Sequence, residues 1–137
     1  LRSSVDAVVI MDMIGYSADA NLEALYESSA SFNPYLLQFG AAAATYVPQL
    51  AVITSTNPFG SDHVPYINAG VRTALAIEND WDIYPHYHRS TDTPANIGPN
   101  VQPMGAAILK TNAAVIAEIA GLDHGADPVF ASGFEGR

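Results

Sequence analysis

The chain has 137 residues, the usual length of one domain, and 49% of them are hydrophobic, which is enough for one core. Fourteen Asp and Glu residues against five Lys and Arg give a formal charge of -9, the wrong sign for a protein that binds nucleic acid or an anionic membrane surface. The absence of cysteine excludes disulfides, a thiolate nucleophile and cysteine-bound zinc, so any metal site must use His, Asp or Glu.

The first predicted element is a strand over Asp6 to Ile14, a run rich in Val and Ile that is typical of a strand buried on both faces. Asp12 interrupts this run near its carboxyl end. A buried carboxylate is costly unless it is paired or bound to a cation, so Asp12 is a candidate metal ligand. The alternative is a strand-end Asp that caps a neighbouring loop. Gly15 ends the strand, and Asn21 to Glu27 favours a second strand over a helical turn.

Helices and strands alternate along the rest of the chain. Asn33 and Pro34 mark a helix start, as N-cap and first helical residue, and this helix is expected to extend to about Tyr46. The later predicted elements are a strand over Gln49 to Ser55, a turn over Asn57 to Gly60, a short helix over Asp62 to Ala69, a strand over Thr73 to Glu78, and a helix from Asn100 to Gly121. This order predicts an α/β sheet flanked by helices, with chemistry beyond the carboxyl ends of the strands, where Asp12 and Glu78 lie.

A long loop is predicted over Asn79 to Pro99, where prolines, aromatic residues and histidines cluster. Long loops in compact domains are often functional. Within it, His86-Tyr87-His88 places two histidines on the same side of an extended segment, from which both could reach one metal. The alternative is a solvated pair of loop histidines.

Ser61, Asp62 and His63 are the three residue types of a serine-hydrolase triad, but they are adjacent in the chain. Neighbouring residues at a helix start diverge by about 100° each and cannot form the triad's hydrogen-bond chain. No Gly-x-Ser-x-Gly elbow presents the serine either. Ser61 is therefore predicted to be a helix N-cap, with Asp62 near the positive end of the helix.

Three motifs occur in order: MDMIG at Met11 to Gly15, SDHVPYINAGV at Ser61 to Val71, and YHRSTDT at Tyr87 to Thr93. Together they resemble the family of bacterial two-zinc aminopeptidases, whose relatives include glutaminyl cyclases and glutamate carboxypeptidase, over roughly residues 5 to 121. The resemblance implies a zinc-peptidase-like fold, with a phosphorylase/hydrolase-like mixed β-sheet flanked by helices. Residues 1–122 would form the C-terminal portion of that catalytic domain, and residues 123–137 would form a tail.

The resemblance also implies roles for individual residues. Asp12 would bind one zinc ion and His88 the other, with two zinc ions in a complete site. Tyr87 would donate a hydrogen bond to the substrate carbonyl oxygen as it becomes an oxyanion. Asp62 would either lie next to the metal ligands or have a structural role. Glu78, at a strand end, is a candidate carboxylate near the substrate cleft. The implied reaction is hydrolysis of the N-terminal residue of a peptide by a metal-activated water.

The family's other site residues, an upstream His-x-Asp and an adjacent Glu-Glu pair, do not occur in the 137 residues. We therefore expect this chain to be the C-terminal half of the domain and to bind zinc weakly or not at all alone. An open sheet edge would favour self-association or docking of the upstream half. The segment DPVFASGFE at Asp127 to Glu135 resembles a C-terminal segment of exported proteins of some proteobacteria, and with the family it predicts a secreted or periplasmic bacterial protein.

Two other functions fit the residues. One is a glutaminyl cyclase-like acyltransferase, which uses one zinc ion and usually carries Trp before the ligand His; Tyr87 in that place favours the peptidase. The other is a catalytically inactive binding or oligomerising module. Zinc stoichiometry separates these functions, because a binding module never gains zinc.

Overall fold

The computed structural model describes residues 5–121, which form a four-stranded mixed sheet flanked by helices. The strands are β1 (Val8–Met11), β2 (Leu22–Glu27), β3 (Leu50–Ser55) and β4 (Thr73–Glu78). The helices are α1 (Asn33–Tyr46), α2 (Val64–Asn68) and α3 (Val101–Ile119), and 3-10 turns occur at Ala30–Phe32 and Trp81–Ile83. The α/β class predicted from the sequence is confirmed.

The strand order β1-β4-β2-β3 decides which strand ends lie together. β1 and β4 are parallel, in a register that pairs Val8 with Thr73 and Met11 with Ala76. β2 is antiparallel to β4 and parallel to β3. The carboxyl ends of β1 and β4 therefore lie at one end of the sheet, and those of β2 and β3 at the other.

One face of the sheet packs against α1 and α3 and holds the core. Ala24 and Tyr26 of β2 and Ala74 and Ala76 of β4 are fully buried on this face. The ring of Tyr26 stacks on that of Phe39 from α1, with centroids 4.4 Å apart. Burying a large apolar side chain stabilises the fold by about 1.5–3 kcal/mol, so this layer is the main source of stability.

The first strand differs from its prediction. β1 covers Val8–Met11 instead of Asp6 to Ile14, and it lies at the margin of the sheet with Met11 46% exposed. The expectation of a strand buried on both faces is therefore wrong for the described residues. An apolar run shows that a strand is there, but it does not show how many neighbours that strand has.

Asn100 precedes α3 as its N-cap residue, as predicted, although its side chain forms no capping hydrogen bond. The caps predicted at Asn33 and Ser61 do not form. α1 includes Asn33 itself, because the preceding 3-10 turn puts Phe32 in the cap position. α2 begins at Val64 with His63 as its cap residue, so Ser61 is not the N-cap. The hydroxyl of Ser61 contacts a different partner, which belongs to the candidate site.

No helix within residues 5–121 has the length and apolar character needed to cross a membrane. The predicted tail, residues 123–137, and its DPVFASGFE segment lie outside the described residues.

Candidate functional site

Asp12 follows β1 directly, at the end of the sheet where β1 and β4 both finish. Its backbone N–H donates to the carbonyl oxygen of Ala76 at 3.1 Å, which continues the strand pairing by one residue. Its side chain is exposed, and the hydroxyl of Ser61 donates to its Oδ2 at 3.4 Å. Asp12 is therefore an accessible carboxylate, not the buried one that the apolar run predicted.

Backbone strain coincides with the predicted metal ligands. Among residues 5–121, the non-glycine residues with positive φ are Met13 at 46° and His88 at 54°. This left-handed conformation costs an L-residue about 1–2 kcal/mol. Such residues cluster at functional sites, where the surrounding structure enforces them. His88 is itself a predicted ligand, and Met13 adjoins the other one, Asp12, whose own φ is not positive.

Tyr87 and His88 lie on the exposed surface of the loop between β4 and α3. Tyr87 is 41% exposed, and its ring stacks on that of His88 with centroids 4.0 Å apart. Trp81 meets Tyr87 edge-on at 6.3 Å and stacks on Phe59 at 5.1 Å. Ring contacts therefore join the Tyr87-His88 pair to the segment before α2, whose Ser61 contacts Asp12.

His86 has different neighbours from His88. Its Nδ1 forms a hydrogen bond with the hydroxyl of Thr91 at 2.9 Å, and its ring meets that of Tyr84 at 5.6 Å. The hydroxyl of Tyr84 donates to Asp92 at 2.8 Å. His86 is thus engaged within the loop, whereas His88 lies at its surface.

Gly15 lets this loop return close to the end of β1. A Cβ at Gly15 would lie 2.8 Å from Cδ1 of Ile97 and 3.0 Å from Cγ2 of Val101, which is closer than ordinary packing allows. The glycine that closes the first motif therefore has a packing role beside Asp12.

Glu78 is the last residue of β4 and is 1% exposed. Its backbone N–H donates to the carbonyl oxygen of Met13 at 3.0 Å, while its Oε2 is buried without a hydrogen-bond partner. Burial raises the pKa of Glu78 to about 8. The negative charges of Asp12 and Asp80 also raise this pKa, whereas hydrogen bonds from backbone N–H groups lower it. Glu78 is therefore largely protonated at neutral pH.

Glu78 and Asp12 share an end of the sheet but not a face. Glu78 is two residues after Ala76, so strand alternation places both on the helix-covered face. Met11 is paired with Ala76, and the next residue, Asp12, therefore turns to the opposite face. Glu78, the predicted cleft carboxylate, and Asp12, the predicted metal ligand, therefore lie at the same end of the sheet but on opposite faces.

The opposite face contains a buried pair that the sequence did not reveal. Glu27, the last residue of β2, is 2% exposed, and its Oε1 lies 3.4 Å from Nε2 of the fully buried His63. The same Oε1 accepts the backbone N–H of Phe59 at 2.7 Å. A Glu at a strand end and a distant His before a helix carry no sequence signal that they touch.

His63 is buried with little hydrogen bonding. Neither of its ring nitrogens has a well-aligned hydrogen-bond partner, and the 3.4 Å contact with Glu27 is long for a hydrogen bond. Burial lowers the pKa of His63, although the charges of Glu27 and Asp62 oppose that shift. Asp62, predicted to support the site, is exposed and lies between Ser61 and His63.

Asp12 and His88 are chemically suited to zinc, which binds carboxylate oxygen and imidazole nitrogen. A catalytic zinc ion commonly has three protein ligands. Within residues 5–121, no group of three or more His, Cys, Asp or Glu side chains could hold a metal ion. The described residues therefore supply donors of the right type but not a complete set.

The profile of peptidase family M28 matches residues 1–112. One solved structure of BSAP, a zinc aminopeptidase from Bacillus subtilis, is similar with a TM-score of 0.63 and 26% identity, over 83% of this chain and 28% of that chain. Another BSAP structure gives 0.61 and 25% over the same shares. The LapA aminopeptidase of Legionella pneumophila gives 0.67 and 22%, over 85% of this chain and 31% of that chain. Comparison with curated proteins gave no significant match.

These likenesses differ in what they show. At 22% identity, the similarity to LapA shows the fold alone. The chain spans less than a third of the length of the solved proteins it matches.

Proposed function

The chain belongs to peptidase family M28, and we propose that it contributes part of the active site of a zinc-dependent aminopeptidase. In this proposal Asp12 binds one zinc ion and His88 binds the other. The likeness to BSAP, a zinc aminopeptidase, supports the reaction class. The observation that supports the proposal is the positive φ of the proposed ligand His88 and of Met13, the residue that follows the other proposed ligand, Asp12.

The chain's own residues would orient the metal and the substrate. When bound, zinc would polarise the carbonyl group of the substrate and activate a water molecule. The Ser61 hydroxyl donates a long, 3.4 Å hydrogen bond to the Asp12 carboxylate and so favours one orientation of it. The exposed phenol of Tyr87 donates a hydrogen bond to the carbonyl oxygen as negative charge develops there.

Glu78 and Asp62 have secondary places in this proposal. Glu78 is a buried carboxyl near the cleft, at the same end of the sheet as Asp12, and burial raises its pKa to about 8 in the metal-free chain. Asp62 places a negative charge beside His63, which opposes the lowering of the His63 pKa by burial.

The rest of the ligand set, in this proposal, comes from polypeptide outside residues 1–137 or from a partner chain. Residues 1–122 would form the C-terminal portion of the catalytic domain, with residues 123–137 as a tail. Self-association or docking of an upstream half would complete the site, and a secreted or periplasmic bacterial location fits the proposed substrate, a peptide with a free amino terminus.

A second candidate is a non-catalytic binding or oligomerising module. The incomplete ligand set within residues 5–121 favours it. A glutaminyl cyclase-like acyltransferase is less well supported, because Tyr87 precedes the proposed ligand His.

Peptide hydrolysis tests the proposal. The longest natural polypeptide that contains these 137 residues is incubated with zinc and with one peptide in two forms, free and acetylated at the amino terminus. We expect release of the N-terminal residue from the free peptide only, lost on chelation and restored by zinc. Equal cleavage of both forms, or no zinc dependence, would contradict it.

A further inference from the structure

One buried carboxylate holds both ends of the segment that contacts Asp12. Oε1 of Glu27 accepts the backbone N–H of Phe59 at 2.7 Å and lies 3.4 Å from Nε2 of His63. Ser61 lies midway between these two points, and its hydroxyl donates to Asp12. The segment Phe59 to His63 is thus held at Phe59 by a short hydrogen bond and at His63 by a weaker contact, with its middle residue, Ser61, on the predicted ligand.

The sheet explains why Glu27 can reach this segment. β2 and β3 are parallel and in register, so Glu27 lies beside Ser55, where the chain leaves β3. The backbone N–H of Ser28 donates to the carbonyl oxygen of Ser55 at 3.1 Å, which keeps the two strand ends together. The chain then passes directly over Glu27 on the face opposite α1 and α3.

The contact with Phe59 is the stronger of the two. A carboxylate that accepts a backbone N–H forms a charge-assisted hydrogen bond, and 2.7 Å is the short distance expected for one. A buried carboxylate without partners would be costly, so Glu27 stabilises the fold only while the segment stays in place.

Two routes lead from Glu27 to the predicted ligands. The first passes through Ser61 to Asp12. The second is a series of ring contacts. Phe59 stacks on Trp81 with centroids 5.1 Å apart, and Trp81 meets Tyr87 edge-on at 6.3 Å. Tyr87 in turn stacks on His88 at 4.0 Å. Contacts therefore connect both predicted ligands to the same segment.

We infer that Glu27 is a positioning residue for the proposed zinc site, because it holds the segment Phe59 to His63 so that Ser61 meets Asp12 and Phe59 stacks on Trp81. This inference rests on the proposed function, since the site that it serves is the predicted metal site.

Trp81 is the single tryptophan of the chain, and Phe59 stacks on it. Tryptophan fluorescence therefore reports the position of Phe59 without a contribution from a second tryptophan. In the metal-free 137-residue chain, Glu27→Ala should shift the Trp81 emission to longer wavelength and increase its quenching by acrylamide. Glu27→Gln keeps an oxygen acceptor for the Phe59 N–H and should leave both signals at the parent values. Unchanged signals in Glu27→Ala, or equal changes in both variants, would overturn the inference.

Glu23 provides the matched control. It lies on the same strand and the same face as Glu27, is half-buried, and its Oε2 accepts the side-chain amide of Asn79 at 3.1 Å. Glu23→Ala should leave the Trp81 signals unchanged, and far-ultraviolet circular dichroism should show that every variant is folded. A Trp81 response in Glu23→Ala equal to that in Glu27→Ala would show general loosening and overturn the inference.

Zinc affinity separates this inference from the proposed function. In the zinc-binding protein, Glu27→Ala should weaken zinc about 10- to 100-fold, as is typical for partners that orient a ligand. Unchanged zinc affinity in Glu27→Ala, when Asp12→Asn loses zinc, would overturn the inference alone. Unchanged zinc affinity in Asp12→Asn contradicts the proposed function, and the Trp81 response still decides whether Glu27 holds the segment.

Discussion

The two faces of the sheet bury different chemistry. The helix-covered face buries hydrocarbon and aromatic rings, such as those of Tyr26 and Phe39, at 0% exposure. The opposite face buries Leu75 and Ile77 of β4 and, beside them, two titratable groups that contact each other: Glu27 at 2% and His63 at 0% exposure. Apolar burial stabilises a fold directly, whereas buried titratable groups need partners to avoid a cost.

This difference indicates that most apolar burial lies in the α1–α3 layer, whereas the polar contacts of the segment before α2 lie on the opposite face. Local departures from well-satisfied packing are expected at functional sites and are compensated elsewhere in a protein. Here the compensation comes from the apolar residues of the α1–α3 layer, and the departures occur on both faces: the unpaired ring nitrogens of His63 on the opposite face, and the unpaired Oε2 of Glu78 at the end of the helix-covered one. The positive φ of Met13 and His88 adds to them. Substitutions on each face should therefore affect different measurements.

Removing a core ring on the helix-covered face should have the largest effect. Phe39→Ala should lower the free energy of unfolding by about 3–5 kcal/mol, because it deletes a fully buried ring that contacts those of Tyr26 and Tyr35. Denaturant titration measures this loss. Leu37→Ala on the same helix, at 59% exposure, should change it by no more than about 0.5 kcal/mol. Equal losses in the two variants would contradict the placement of the core.

The second largest effect should be on the rate of peptide hydrolysis, with the free energy of unfolding unchanged. In the active peptidase, Tyr87→Phe should lower kcat about 100- to 1,000-fold, because its hydroxyl contacts an oxygen whose charge develops in the transition state. KM, zinc content and the free energy of unfolding should change little, since Tyr87 is 41% exposed. Steady-state kinetics with zinc analysis tests this, and loss of zinc would show instead that Tyr87 supports His88.

Glu78 should make the stability of the metal-free chain depend on pH. Its folded pKa of about 8 lies above the unfolded value of 4.5, so the folded state holds the proton more tightly. The stabilisation is therefore fully present below the unfolded pKa and is lost as pH rises through the folded one. Between pH 5 and 8 the free energy of unfolding should fall by about 3 kcal/mol from this group.

Glu78→Gln should remove most of that decline, because the amide does not titrate. Denaturant titrations across this pH range measure the slope, and Glu23→Gln on the neighbouring strand should keep it. A Glu78→Gln protein with the parent slope would show that another group causes the decline.

Relief of backbone strain should give the smallest effect. His88→Asn should raise the free energy of unfolding by less than about 1 kcal/mol, because Asn tolerates the left-handed conformation better than His does. His86→Asn is the control, since positive φ is not found at that position. Thermal unfolding of both variants checks the difference, and a loss of stability in His88→Asn would contradict the strain assigned there.

Much of the fold follows from local pattern. The predicted strand over Thr73 to Glu78 matches β4, and the predicted helix from Asn100 to Gly121 contains α3, because apolar periodicity and flanking glycines define such elements. The predictions fail where tertiary contacts decide the outcome. Ser61 has the right chemistry for a helix cap, but its hydroxyl contacts Asp12 instead.

The candidate site could be predicted in its residues but not in its arrangement. Motifs indicated Asp12 and His88, whereas the strain at His88 and the raised pKa of Glu78 depend on three-dimensional surroundings. The contact between Glu27 and His63 joins a strand end to the start of a distant helix, and no periodicity or spacing signals it. Orientation, burial and long-range pairing are therefore what the structure adds.

The central claim is that Asp12 and His88 bind zinc, and the zinc affinity of matched variants tests it most directly. Competition with a chromophoric chelator measures that affinity in the parent protein and in Asp12→Asn, His88→Ala and His86→Ala. Asp12→Asn and His88→Ala should each weaken zinc by more than about 100-fold, the upper end for residues that only orient a ligand, while His86→Ala stays near the parent value. Unchanged affinity in Asp12→Asn or His88→Ala, or an equal loss in His86→Ala, would contradict the account.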